Sequence, residues 1–167
     1  KNAIFELSYL KNYYERDNFE VFLNSLDWGK DVAFSSNAVQ NIGVMLQYAR
    51  DYQRVTEAND LLTILYDFIN SKQNSETGLF GKSLKNPIEL SNGVQAGYHF
   101  WLLYFYDNQE IRFQEQIIDS LLKTQNRFGG YGVRWNSSAC EDIDTIDPLV
   151  RFSRLTDYRA EDIQISL

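Results

Sequence analysis

The sequence predicts an all-α fold built from helical hairpins, and three observations carry that prediction. Apolar residues recur at three- and four-residue spacing along most of the chain. A short motif returns: Ser36-Asn37-Ala-Val39-Gln40 reappears as Ser91-Asn92-Gly-Val94-Gln95. Each copy is followed by an apolar helix, a second helix and a Gly-plus-aromatic turn, Thr77-Gly-Leu-Phe80-Gly81 and then Gly129-Gly-Tyr131-Gly132. A period of about 50 residues made of two helices is the signature of a helical-hairpin array.

The elements follow in order. Residues Ala3 to Glu15 place Ile4, Leu7, Leu10 and Tyr14 on one stripe, which predicts a first helix. Asp17 is placed to cap a second short helix over Asn18–Leu26, closed by Trp28-Gly29, with loop from Lys30 to Ser35. The three copies then span about 36–81, 91–132 and 140–167. In the second copy, Val94 to Tyr106 is apolar around most of its circumference and has to be covered on nearly every side. Ile111 to Lys123 instead carries one stripe of Ile117, Ile118, Leu121 and Leu122. Val55 to Ser71 does the same with Leu61, Leu62, Leu65, Tyr66 and Ile69. Buried inner helices thus alternate with half-exposed outer ones. A last helix is expected within Arg159–Leu167, with no stop signal before the sequence ends.

The 167 residues suffice for one domain with its own core, and the eleven Tyr and eleven Phe can fill it. The net charge of −7, without a block of Lys or Arg, excludes a basic footprint for nucleic acid or anionic lipid. No apolar run approaches the roughly 18 residues of a membrane span. The lone Cys140 cannot form an internal disulfide, so a reducing, cytoplasmic setting is expected. No phosphate-binding Gly loop, Cys-x-x-Cys pair or Ser-His-Asp arrangement is visible, and no cofactor is expected.

The segment Gln125-x-x-x-Gly129-Gly130-Tyr131 resembles the repeat motif of the squalene cyclase and protein prenyltransferase superfamily, with tyrosine where tryptophan is usual. The resemblance covers about Ser36 to the C-terminus and is looser at Gln73–Phe80, where one extra residue separates Gln from Gly. It implies an α/α toroid, or an open arc of one, since seven or eight helices fall short of the ten to twelve that close such rings. Missing sequence or a partner would complete the ring. Independently of any family, Gly129-Gly130 can take positive φ to end a helix, Tyr131 can bury its ring with its hydroxyl partnered, and Gln125 can satisfy helix-terminal backbone groups nearby.

Candidate chemistry centres on Glu141, Asp142, Asp144 and Asp147, four carboxylates within seven residues. If a helix starts at Cys140 or Glu141, Asp144 and Asp147 share a face one turn apart and Pro148 kinks the helix. If Asp147 is instead the N-cap, Pro148 takes its preferred first position. The register of Ser91 with Cys140 and Val94 with Ile143 favours the first. Capping needs one carboxylate, and crowding in a partly buried cluster should raise the pKa of another, as a general acid requires. Asp142-Ile143-Asp144-Thr145 resembles a degraded D-x-D-D motif of class II terpene cyclases. That resemblance implies Asp144 as the proton donor and Asp142 as the first acid, with Asp147 tuning it; Thr145 breaks the pattern. Prenyltransferases of the superfamily hold zinc with Asp, Cys and His. Cys140, Asp142 and His99 supply those types in a different order, so no metal is expected.

Tyr48, Tyr98, Phe100, Trp101, Tyr104 and Tyr106 supply an aromatic inner surface able to steady cations or stack sugars, or simply to fill the core. Ser36 and Ser91 read as N-caps, and Asn37, Gln40, Asn92 and Gln95 then line one rim beside the acids, with His99 and Trp101 further in. The expected function is binding of a prenyl-like or sugar-containing ligand on that surface. The alternatives are cyclase- or prenyltransferase-like catalysis through Asp144, and a helical scaffold for a protein partner.

Overall fold

The structure, a computed structural model, describes residues 5, 7–81, 84–133 and 138–167. It is all-helical, with no strand among the described residues. A 3-10 helix, Ser8–Tyr13, leads into α1 (Arg16–Ser25) and α2 (Val32–Tyr48), which runs on as a π-helical turn, Ala49–Gln53. Then come α3 (Glu57–Lys72), α4 (Pro87–Asp107), α5 (Gln114–Leu122), α6 (Ala139–Phe152) and α7 (Ala160–Ser166). No helix among the described residues is long and apolar enough to cross a membrane.

α4 lies between α2 and α6 and also touches α5, which explains its nearly all-round apolar sequence. α3 packs on α2, α1 on α3, and α5 on both α6 and α7. The single stripes are buried where expected: Leu61, Leu62, Leu65, Tyr66 and Ile69 on α3, and Ile117, Ile118 and Leu121 on α5. Trp28 closes the N-terminal end, its ring 5.4 Å from Phe68 and 5.9 Å from Phe100.

Several boundaries differ from the sequence reading. The expected first helix, Ala3–Glu15, is among the described residues only a 3-10 turn that buries Leu10; positions 1–4 and 6 lie outside them. Asp17 sits in the first turn of α1 and does not cap it, since Glu15 holds the N-cap position. The expected loop Lys30–Ser35 is mostly helix. Asp31 caps α2 by accepting from the Phe34 N–H at 3.0 Å, and Asn86 caps α4 by accepting from Glu89 at 3.0 Å with Pro87 in the first turn. Ser36 and Ser91 are therefore not caps. Each is the fifth residue of its helix, and both are buried. α6 begins at Ala139 with Ser138 as N-cap, and Pro148 lies inside it, which settles the two readings of the acidic segment in favour of the earlier start. The stretch 134–137 before it lies outside the described residues.

The Gly-aromatic turns share one construction. Gln73 pairs with Phe80, and Gln125 with Tyr131, as isolated antiparallel bridges. The Gln73 side chain donates to its own turn at Gly78 O (2.8 Å) and across to Arg112 O (3.2 Å). Gln125 donates likewise to Gly129 O (3.0 Å) and to Ser166 O (3.1 Å) at the end of α7. Tyr131 is buried and its hydroxyl also donates to Ser166 O, so a helix-terminal carbonyl finds two donors. Gly78 (φ +68°) and Gly129 (φ +91°) adopt the left-handed conformation that ends such turns.

Candidate functional site

The four carboxylates of α6 have separate fates. Glu141 closes a capping box: its carboxylate accepts from the Ser138 backbone N–H at 2.7 Å and from the Ser138 hydroxyl. Asp142 reaches out of the helix and accepts from the Tyr131 N–H at 2.7 Å, fastening the glycine-rich turn to α6. Asp147 forms an ion pair with Arg151 at 2.8 Å, one turn on.

Asp144 is the exception. It is 7% exposed, and no hydrogen-bond partner stands beside it among the described residues. Burial raises its carboxyl, the nearby Glu141 charge raises it further, and together they push its pKa from 3.8 to about 7. A carboxyl held there is half protonated at neutral pH and can both donate and accept a proton. Its charge and that of Asp147 act on Tyr98 of α4, whose phenol is raised first by burial and then by these two acids. Both acids thus act on Tyr98 from α6, which packs against α4.

On the other side of α4, His99 Nδ1 lies 2.9 Å from the hydroxyl of Ser36, which itself donates to Ala33 O at 2.8 Å. Burial lowers the pKa of His99, so its imidazole is neutral at pH 7. Gln40 and Gln95 are half-buried on α2 and α4. Asn37 is exposed and accepts from Asn41 on its own helix, and Asn92 lines a cleft of about 130 Å³ with Trp28, Lys30 and Glu89. Because α2 and α4 begin a turn earlier than expected, these side chains stand one turn inside their helices, and the rim proper is made by Asp31 and Asn86. Cys140 is exposed, and among the described residues no three His, Cys, Asp or Glu groups stand close enough to hold a metal ion. Trp101 is 1% exposed and packs edge-on against Phe152 of α6, with ring centroids 5.7 Å apart.

A second polar cluster, at the opposite ends of α2 and α4, was missed by the sequence reading. Arg50, in the π-helical turn, forms a bidentate pair with Asp107 (2.9 and 2.7 Å) and a second with Asp51 (2.6 and 2.9 Å). The Tyr66 hydroxyl donates to Asp107 at 2.7 Å, and Gln47 donates to Tyr66 and to Leu103 O. Tyr106 completes it by donating to Asp51 at 2.9 Å. Every group here is satisfied, so the cluster joins α2, α3 and α4 and offers nothing to a ligand. Nothing local marked it in the sequence, since Arg50 and Asp107 lie 57 residues apart.

No protein-family model matches this chain, and no curated protein or solved structure matches it either.

Proposed function

We propose that this chain is a small-molecule-binding domain of the α/α-toroid kind, with Asp144 as the protonated group that meets the ligand. Its ligand is uncharged and mainly apolar, of prenyl-like or sugar-containing type, taken up by the first turns of α2, α4 and α6 beside Tyr98; the expected aromatic surface does not line them, since Phe100, Trp101 and Tyr104 are core residues and Tyr48 and Tyr106 stand at the other ends of α2 and α4. The placing of α4 between α2 and α6, with α3 and α5 outside, supports inner and outer layers of hairpins. The single observation that carries the functional reading is Asp144. Its neighbours Glu141, Asp142 and Asp147 are each engaged in holding α6 in place, whereas its own carboxyl, in a residue 7% exposed, makes no hydrogen bond among the described residues. Burying such a group is costly unless something bonds to it. An uncharged ligand oxygen accepting from the protonated acid would supply that bond.

The second reading is catalysis, with Asp144 delivering its proton to an alkene or epoxide; its near-neutral pKa favours this as much as binding. One variant separates the two. Asp144→Asn keeps a donor of the same shape, so a binding domain retains a prenyl alcohol or a disaccharide within about threefold, whereas proton transfer to the ligand stops altogether. Calorimetric titration with farnesol and with maltose at millimolar concentration is the direct test. If neither binds the wild-type chain, the binding reading is wrong.

A further inference from the structure

At the C-terminal ends of α4 and α6 the chain walls a cleft of about 370 Å³, within the roughly 300–1,000 Å³ of small-molecule sites. α4 stops at Asn108, whose backbone turns left-handed (φ +51°), a conformation asparagine adopts more readily than most residues. The Gln109 N–H folds back onto Tyr104 O at 2.9 Å. That turn sets Asn108, Gln109 and Glu110 along one edge of the cleft, with Ile111 buried beneath them. α5 then begins at Gln114, whose amide donates to Ile111 O at 3.2 Å. Opposite, Leu155 follows α6 and is held by its own N–H, which donates to Phe152 O at 2.9 Å. Phe105 meets Phe152 edge-on, with ring centroids 5.7 Å apart, and ties the α4 wall to the end of α6.

The cleft has two kinds of surface. Its apolar wall is Tyr104, Phe105, Ile111 and Leu155, and Leu155 stays 59% exposed there. Its polar edge is three amides, Asn108, Gln109 and Gln114, and one carboxylate, Glu110. No side-chain hydrogen bond among the described residues engages the amides of Asn108 or Gln109. An amide side chain both donates and accepts, which suits a hydroxyl that does the same. An anion would meet Glu110 and no Lys, Arg or His on the lining. A wholly apolar chain would strip water from the three amides and return no hydrogen bond. A neutral molecule with hydroxyls on one side and C–H groups on the other matches both surfaces.

We propose that this cleft is a binding site for a neutral carbohydrate of one or two rings. Its hydroxyls bond to Asn108, Gln109, Gln114 and Glu110, and its C–H face lies on Phe105 and Leu155. No lining residue belongs to the first turns of α2, α4 or α6, where the ligand of Asp144 is placed. The two sites therefore stand or fall separately.

The test is titration of the 15N-labelled full chain with maltose, cellobiose and lactose at millimolar concentration, and with farnesol beside them. At least one sugar should move the side-chain amide resonances of Asn108, Gln109 and Gln114. Its affinity should fall about fivefold in Gln109→Ala and in Leu155→Ser, and hold in Gln116→Ala, an amide of α5 outside the cleft. Gln109 and Leu155 are exposed, so both variants keep the fold, and thermal melts verify it. Shifts at the cleft with no response to sugar or farnesol around Asp144 support the cleft and remove the Asp144 reading. A sugar that instead moves only resonances in the first turns of α2, α4 and α6 overturns the cleft and leaves the Asp144 reading standing. Farnesol moving the three amides where no sugar does overturns the carbohydrate assignment. Amides that ignore all three sugars overturn it as well.

Discussion

Replacing Asp107 by alanine should cost the fold about 3 kcal/mol. The carboxylate is 6% exposed and accepts from both guanidinium nitrogens of Arg50 and from the Tyr66 hydroxyl. Breaking a buried ion pair by removing one partner typically costs about 3–5 kcal/mol, because the other charge is left uncompensated. Arg50 keeps Asp51 and is 23% exposed, so the lower end of that range applies here. For a chain of this size, that corresponds to a melting temperature roughly 6–12 °C lower. Urea unfolding followed by circular dichroism reads the loss, and Asp51→Ala is the control. Asp51 is 32% exposed and its removal should cost only about 1 kcal/mol. The acid limb supplies a second readout. Burial raises the Asp107 carboxyl, but its hydrogen bonds from Arg50, Tyr66 and Gln47 more than offset this and hold it below the ordinary carboxylate value. Its stabilisation is therefore complete above about pH 4 and lost as pH falls through the folded value. Asp107→Ala should lack that part of the acid dependence. A loss under about 1 kcal/mol, with an unchanged acid limb, would show that Arg50 is satisfied by Asp51 alone and refute the argument.

Asp144→Asn should act in the opposite direction. With the folded pKa raised from 3.8 to about 7, wild-type stability falls as pH rises between those values, and the charged form then costs up to about 4 kcal/mol. The amide should stabilise the chain at pH 8 and leave it almost unchanged at pH 4, as paired thermal melts will show. Gly78→Ala should cost well over 3 kcal/mol or prevent folding, because its Cβ would lie 2.5 Å from Ile117 Cγ1 and 2.9 Å from the Ile117 nitrogen at positive φ. Gly129→Ala meets nothing within 4 Å and should cost only the backbone strain of about 1 kcal/mol, measured by the same urea series. Gln125→Ala removes the bonds to Gly129 and Ser166 and should speed amide exchange in α7 about fivefold while moving the global midpoint little.

The outer helices were legible because a single apolar stripe is a local property: Leu61 to Ile69 and Ile117 to Leu121 are buried as their spacing demands. The starts of α2 and α4 were not. Ser36 and Ser91 look like caps, yet Asp31 and Asn86 stand one turn upstream, and spacing does not choose between two good caps so close together. The Gln-to-Tyr turn was readable down to its hydrogen bonds, since Gln125 and Tyr131 do meet a helix-terminal carbonyl. The acids were readable as a cluster only. Which of the four escapes engagement depends on Ser138, Tyr131 and Arg151 taking the other three, and on α4 covering Asp144. The Arg50–Asp107 pair was invisible because its halves lie 57 residues apart and nothing local marks either.

The two glutamine turns also bear on how the chain reaches this structure. Gln73 is tied to a carbonyl 39 residues ahead and Gln125 to one 41 ahead. Neither turn can be completed until the next stretch of chain has been laid down beside it. Closing loops of that length costs little more than closing shorter ones and keeps most contacts between neighbours in sequence, which favours quick, stepwise assembly from the N-terminal side during synthesis.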